Sequence, residues 1–147
     1  LDKEVKGSLT LNISPDVVLR ALTDLANAQR LIPGVKSVVR TGPNNAKVTV
    51  DTKLGTMSFE REFDLTITQE AASVVYLAKS YGLDVEARVS LVESAGSTLM
   101  NYTVCLRGTS FSGNMVLRMV GEPLIRDFSD QFSANLKRIQ EVDLSDS

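Results

Sequence analysis

Residues 57–67 read MSFEREFDLTI, and this stretch decides the fold. Met57, Phe59, Arg61, Phe63, Leu65 and Ile67 occupy every second position, with Ser58, Glu60, Glu62, Asp64 and Thr66 between them. A period of two marks a strand with one buried face and one wetted face. Earlier in the chain, Val48, Val50, Thr52 and Leu54 alternate in the same way; later, Val85, Ala87, Val89, Leu91 and Met100, Tyr102, Val104, Leu106 repeat it. Turn chemistry at Gly42-Pro43-Asn44-Asn45, Gly55, Ala71-Ala72-Ser73, Gly82 and Ser94-Ala95-Gly96-Ser97 separates the strands. Links this short join antiparallel neighbours.

Working toward the N-terminus, Val5, Leu9, Leu11 and Ile13 alternate with polar residues as a first strand, with Gly7 in an inward slot. Ser14-Pro15-Asp16 supplies an N-cap, a proline at the first helical position and an acid in the first turn. Val17, Val18, Ala21, Leu22 and Leu25 follow at helical spacing, and a short second helix is expected to run to Leu31, ended by Pro33-Gly34. Toward the C-terminus the period switches to helical after Gly113, through Val116, Met119, Val120, Leu124, Phe128, Phe132, Leu136 and Ile139. Pro123 predicts a kink or break near Gly121-Glu122, and residues from Asp143 onward are expected to fray. A sheet with one apolar face must be covered, and only one long helix is available. The expected architecture is α+β, a helix-grip fold. A curved antiparallel sheet of about seven strands wraps a long C-terminal helix, with two short helices after the first strand, in a single domain over residues 1–147.

Composition narrows the chemistry. Sixteen basic residues stand against eighteen acidic ones, for a net charge of −2, without the clustered Lys and Arg that nucleic acid demands. Apolar runs fall far short of the roughly 20 residues that span a bilayer. The single cysteine, Cys105, fits a reducing compartment, so cytoplasm is the expected location. The chain has no histidine, which removes the commonest general base and most zinc and non-haem iron sites. No Gly-rich phosphate loop and no calcium-type acidic loop is present. No cofactor, metal or catalytic residue is therefore expected.

What remains is a pocket for an apolar molecule. The inward positions are dominated by Val, Leu and Ala, with no tryptophan in the chain and aromatics at 5%. A twisted sheet around one helix leaves space unless bulky side chains fill it. The expected lining is Met57, Phe59, Phe63, Tyr76, Tyr102, Met119 and Phe128; the plainer alternative is that such residues only close the core. Arg61 shares their phase, and a buried guanidinium needs a partner. It is either a donor fork for a ligand oxygen, or paired to a helix acid such as Asp127 or Asp130, or turned outward by a bulge. Glu60, Glu62 and Asp64 fall on the outer face, as does Cys105.

The chain resembles the CoxG-like family, which is linked to carbon monoxide dehydrogenases and is a branch of the START/Bet v 1-like (SRPBCC) superfamily. The resemblance is carried by Ser14-Pro15-Asp16-Val17-Val18, Leu31-Ile32-Pro33-Gly34-Val35 and the Val48-to-Phe63 hairpin. Ala87-Arg88-Val89-Ser90-Leu91, the Tyr102 strand, Gly121 to Ile125 and Asp130-Gln131-Phe132 continue it. It implies a helix-grip fold with a hydrophobic cavity between sheet and long helix, holding a lipid, a quinone or a similar ligand. It further implies a redox-enzyme partner, such as a molybdenum carbon monoxide dehydrogenase, and peripheral contact with the inner membrane face. Two rival expectations use the same fold. One is a cyclase- or hydratase-like enzyme in which Arg61 polarises a carbonyl and Tyr76 or Tyr102 moves protons; the other is a ligand-free adaptor resembling co-chaperones.

Overall fold

The alternating stretch around Arg61 forms the fourth of seven strands. The structure, a computed structural model, describes residues 2–54 and 57–146, excluding the side chains of residues 52–54, 57, 59, 116, 119–122, 124–125 and 139–146. In chain order the elements are β1 (Asp2–Leu11), α1 (Pro15–Thr23), a 3-10 turn (Leu25–Asn27), α2 (Ala28–Leu31), β2 (Val35–Arg40), β3 (Asn45–Leu54), β4 (Met57–Glu70), β5 (Ser73–Ser80), β6 (Leu83–Ser94), β7 (Ser97–Gly108) and α3 (Phe111–Asp146). The strands form one antiparallel sheet in the order β1-β7-β6-β5-β4-β3-β2, so α1 and α2 carry the chain from one edge to the other. This is the helix-grip, START/Bet v 1-like fold.

Register sets the inward face row by row. One row crosses the sheet as Ile67, Tyr76, Ala87, Val104 and Val5; another runs Ala46, Leu65, Ala78, Val85 and Leu106. Burying such rows removes apolar area from water at about 25 cal/mol per Å². Helix α1 places Val18 and Leu22, one turn apart, in the core and packs over β4, β5, β6 and β7. Helix α3 packs on β1 and β7 and buries Leu117, Phe132 and Leu136. The two-residue turns at Ala71-Ala72 and Ala95-Gly96 match the expected positions, with alanine at φ of 53° and 50°.

Ser14 is the N-cap of α1, with Pro15 at its start and Asp16 in its first turn, as expected; its backbone carbonyl accepts from Val17 and Val18, and its side chain makes no capping bond. Two expectations about α3 are corrected. Helix α3 begins at Phe111 rather than after Gly113, and it continues through Pro123 to Asp146 without a break. Proline in a helix interior costs about 3 kcal/mol. Here Pro123 is exposed, where water can meet the carbonyl it leaves unpaired, and the helix is buried on both sides of it by Leu117 and Phe132. Gly55, expected in the β3–β4 turn, lies outside the described residues.

Gly113 therefore serves packing rather than helix termination. A Cβ there would collide with the carbonyl oxygen of Gly82, whose φ of 78° forms the β5–β6 turn. The first turn of α3 thus rests directly on the β5–β6 turn, and the Gly82 carbonyl also accepts from Thr109 N at 2.9 Å. Helix propensity alone makes Gly→Ala favourable by about 1 kcal/mol. Gly113→Ala is instead expected to destabilise by about 2 kcal/mol in urea denaturation. Gly42→Ala, whose Cβ would meet nothing closer than 3.6 Å, should change little. A stabilised Gly113→Ala variant would contradict the close approach.

Candidate functional site

The inward face is not equally covered along its length. Toward Ile67, Val74, Leu91 and Met100 it is fully buried. Toward the β5–β6 turn the inward residues Val50, Arg61, Ala78 and Val85 are only half-buried. Val50 lies opposite Arg61, Ala78 lies opposite Val85 two inward rows further along, and the Arg61 bonds to Ser80 and Tyr81 draw its side chain toward the end of β5. Phe128 of α3 is half-buried too, stacked on Phe132 with centroids 6.3 Å apart and ring planes at 8°.

Arg61 stays in phase with Phe63, Leu65 and Ile67, with continuous pairing to Val50, so no bulge turns it outward. Its Nη1 donates to the Tyr81 carbonyl at 2.8 Å and reaches the Ser80 hydroxyl at 3.5 Å. The helix acids are not its partners: Asp127 accepts from Gln131 Nε2 at 2.8 Å, and no ion pair of Arg61 exists among the described residues. The guanidinium is held at the rim by a backbone carbonyl across the β5–β6 turn. Its Nε and Nη2 donors have no partner among the described residues. Around the same rim stand Tyr81, 88% exposed, Phe111, 81% exposed, and Met115, 42% exposed. The contact between Gly82 and Gly113 brings these two chain segments together.

The two inward tyrosines are already engaged. Tyr76 is buried and its hydroxyl donates to the Leu22 carbonyl of α1. Burial pushes its phenol well above the usual range, and the charge of Asp24 adds to this. Tyr102 lies across the backbone of β1, because its register partner is Gly7, where a Cβ would collide with the phenol ring. The Tyr102 hydroxyl receives a hydrogen bond from Ser129 Oγ at 2.9 Å and lies 2.9 Å from Ser133 Oγ. Donation from Ser129 leaves the tyrosine proton for Ser133. The Tyr102 ring also meets Phe132 edge-on, at 6.2 Å and 72°.

The other expected positions are distributed as follows. Phe63 is buried opposite Val48. The side chains of Met57, Phe59 and Met119 lie outside the described residues. Glu60, Glu62 and Asp64 are exposed on the outer face, with Glu60 paired to Lys36 at 3.0 Å and Glu62 to Lys47 at 3.7 Å. Burial pushes the Cys105 thiol up, and Asp2 and Glu4 push it further, so it is not an activated nucleophile. Among the described residues no cluster of three or more His, Cys, Asp or Glu suits a metal, and no helix is long and apolar enough to cross a membrane. Sequence reasoning missed Ser129 and Ser133. Two serines four residues apart, flanking Phe132 within an apolar helical stripe, are a readable sign of a buried hydroxyl cluster.

The family model for CoxG, a carbon monoxide dehydrogenase component, matches residues 7–139. Among curated proteins none matches the sequence significantly. Solved structures share the fold at low identity. A conserved protein from Geobacillus kaustophilus is 16% identical with a TM-score of 0.74, covering 96% of this chain and 95% of that one. The ZhuI aromatase/cyclase from Streptomyces sp. R1128 is 11% identical with a TM-score of 0.69, covering 96% and 94%. A START superfamily protein from Mycobacterium smegmatis is 16% identical with a TM-score of 0.65, covering 92% and 98%.

The Tyr102 cluster makes a direct prediction. Tyr102→Phe strands two serine hydroxyls at the helix–sheet contact and should cost about 1–3 kcal/mol in chemical denaturation. Adding Ser129→Ala and Ser133→Ala should recover most of that loss, since apolar groups then replace every partner. A neutral Tyr102→Phe variant would show that the cluster does not fix the helix.

Proposed function

This chain belongs to the CoxG family of carbon monoxide dehydrogenase components, and on that footing we propose that it is a non-catalytic carrier of an apolar small molecule such as a lipid or quinone. The observation that carries the reading is the half-buried inward group Val50, Ala78 and Val85 beside Arg61. An apolar body would cover the aliphatic residues, and the Arg61 donors that have no partner among the described residues would meet a carbonyl or carboxylate oxygen. Phe63 and Phe128 would contribute ring surface, and Met57, Phe59 and Met119 complete the proposed lining, while Tyr76 and Tyr102 would hold α1 and α3 at its closed end. The exposed Tyr81, Phe111 and Met115 at the same rim suit entry from a membrane interface, where aromatic side chains are favoured. On this reading the protein works in the cytoplasm, touches the inner membrane face peripherally and docks on a redox enzyme such as a molybdenum carbon monoxide dehydrogenase.

Some proteins of this fold are enzymes, as the aromatase/cyclase is by its description. Carrier function is favoured here because the Tyr76 proton is committed to Leu22 and the Tyr102 hydroxyl to two serines. The chain also has no histidine to move protons.

The test is calorimetric titration with two probes, a short-chain benzoquinone and oleate, on wild type and Arg61→Met. Wild type should bind at least one. The variant should melt within a few degrees of wild type, because it loses an exposed bond to the Tyr81 carbonyl and a long one to the Ser80 hydroxyl, but no ion pair among the described residues. Its affinity should fall about tenfold, the loss expected from one charge-assisted hydrogen bond. Absence of binding to either probe, or affinity indifferent to Arg61, would overturn the proposal.

A further inference from the structure

A hollow lies where the loop after α2 meets the C-terminal half of α3, with its Gly34 against Val50 of β3. It is a cleft of about 470 Å³ lined by Gln29, Arg30, Ile32, Pro33, Gly34, Gln131, Asn135 and Arg138. Its walls are fixed by backbone contacts. Asn135 Nδ2 donates to the Leu31 carbonyl at 2.9 Å, tying α3 to the end of α2. Gln29 Nε2 donates to the Lys36 carbonyl at 3.3 Å, and Asp51 N to the Gly34 carbonyl at 2.8 Å, tying the loop to β2 and β3.

The charge in this cleft is one-sided. Among the described residues, two guanidinium groups and three carboxamides line it, and no carboxylate does. Arg138 Nη1 donates to Asn135 Oδ1 at 3.3 Å, which turns that guanidinium along the cleft wall. Among the described residues neither Arg30 nor Arg138 forms an ion pair, whereas Lys6, Lys36, Lys47, Arg88 and Arg107 all do. The only carboxylate bonded to a lining side chain among those residues is that of Asp127, which accepts from Gln131. In a chain of net charge −2, a hollow lined by two arginines and by no carboxylate among the described residues is an attractive site for an anion. Guanidinium forks match the oxygens of phosphate, and carboxamides add neutral donors. Apolar Ile32 and Pro33, and a volume well beyond that of one inorganic anion, leave room for an organic substituent.

We propose that this cleft binds a phosphate ester, with Arg30 and Arg138 as the two charged arms. This chemistry comes either from a soluble phosphorylated molecule or from the headgroup of an anionic phospholipid, and it is independent of apolar-ligand binding at the Arg61 rim.

The experiment has two arms. Pyrophosphate is titrated against the full chain by calorimetry, and sedimentation is measured with phosphatidylcholine vesicles with and without phosphatidic acid. Each arm is run on wild type, on Arg30→Gln/Arg138→Gln, on Arg30→Lys/Arg138→Lys and on Lys79→Gln, which removes an exposed charge outside the cleft. Binding in either arm is expected to fall about tenfold or more in the double Gln variant and by less in the double Lys variant, which keeps charge but loses the fork. Lys79→Gln should bind as wild type does. Pyrophosphate binding alone identifies a soluble ligand; vesicle binding dependent on phosphatidic acid identifies a headgroup. Binding in neither arm, or binding equally weakened by Lys79→Gln, overturns the site.

Discussion

The packing of Tyr102 across Gly7 is the constraint on which the rest of the structure depends. Glycine removes the side chain that would stand between the phenol ring and β1, so the ring can lie flat over the edge of the sheet. Its hydroxyl then reaches two serines one turn apart on α3, and its ring edge meets Phe132. A hydrogen-bonded hydroxyl cluster of this kind is directional in a way that apolar packing is not. It commits the helix to the β1–β7 side of the sheet.

That commitment creates the asymmetry of the inward face. With α3 on β1 and β7, and α1 over β4 to β7 with the Tyr76 hydroxyl bound to it, one end of the face is sealed. At the other end Val50, Ala78 and Val85 stay half-buried on the face that carries Arg61. On the proposed reading, a ligand would cover this surface and complete its burial. The Gly82–Gly113 contact closes the design by resting the start of α3 on the β5–β6 turn.

The sheet and the grip helix were legible because both signals are local. Alternation from Met57 to Ile67 fixes which side chains share a face, and the change to helical spacing after Gly113 identifies the only long helix in the sequence able to cover them. Arg61's inward phase was legible for the same reason. Its partner was not, because the Tyr81 carbonyl lies twenty residues on and is brought back by the β4–β5 hairpin. Asp127 and Asp130 are the charged partners that sequence offers, but a backbone carbonyl satisfies a guanidinium donor as well. The uninterrupted α3 was illegible because proline's local penalty is outweighed by burial on both sides, which depends on the sheet. Gly113 was read as a helix boundary when its role is close approach, a property that exists only once Gly82 is opposite it.

The central claim is that the half-covered end of the inward face holds an apolar molecule beside Arg61. Native mass spectrometry of the protein purified from its own host tests this most directly. The account predicts an added mass on a substantial fraction of the wild-type protein, released by organic solvent, with the chemistry of a lipid or quinone, and largely lost from the Arg61→Met protein prepared in the same way. Wild-type protein that carries no added mass, and that binds neither lipid nor quinone when these are supplied, would contradict it.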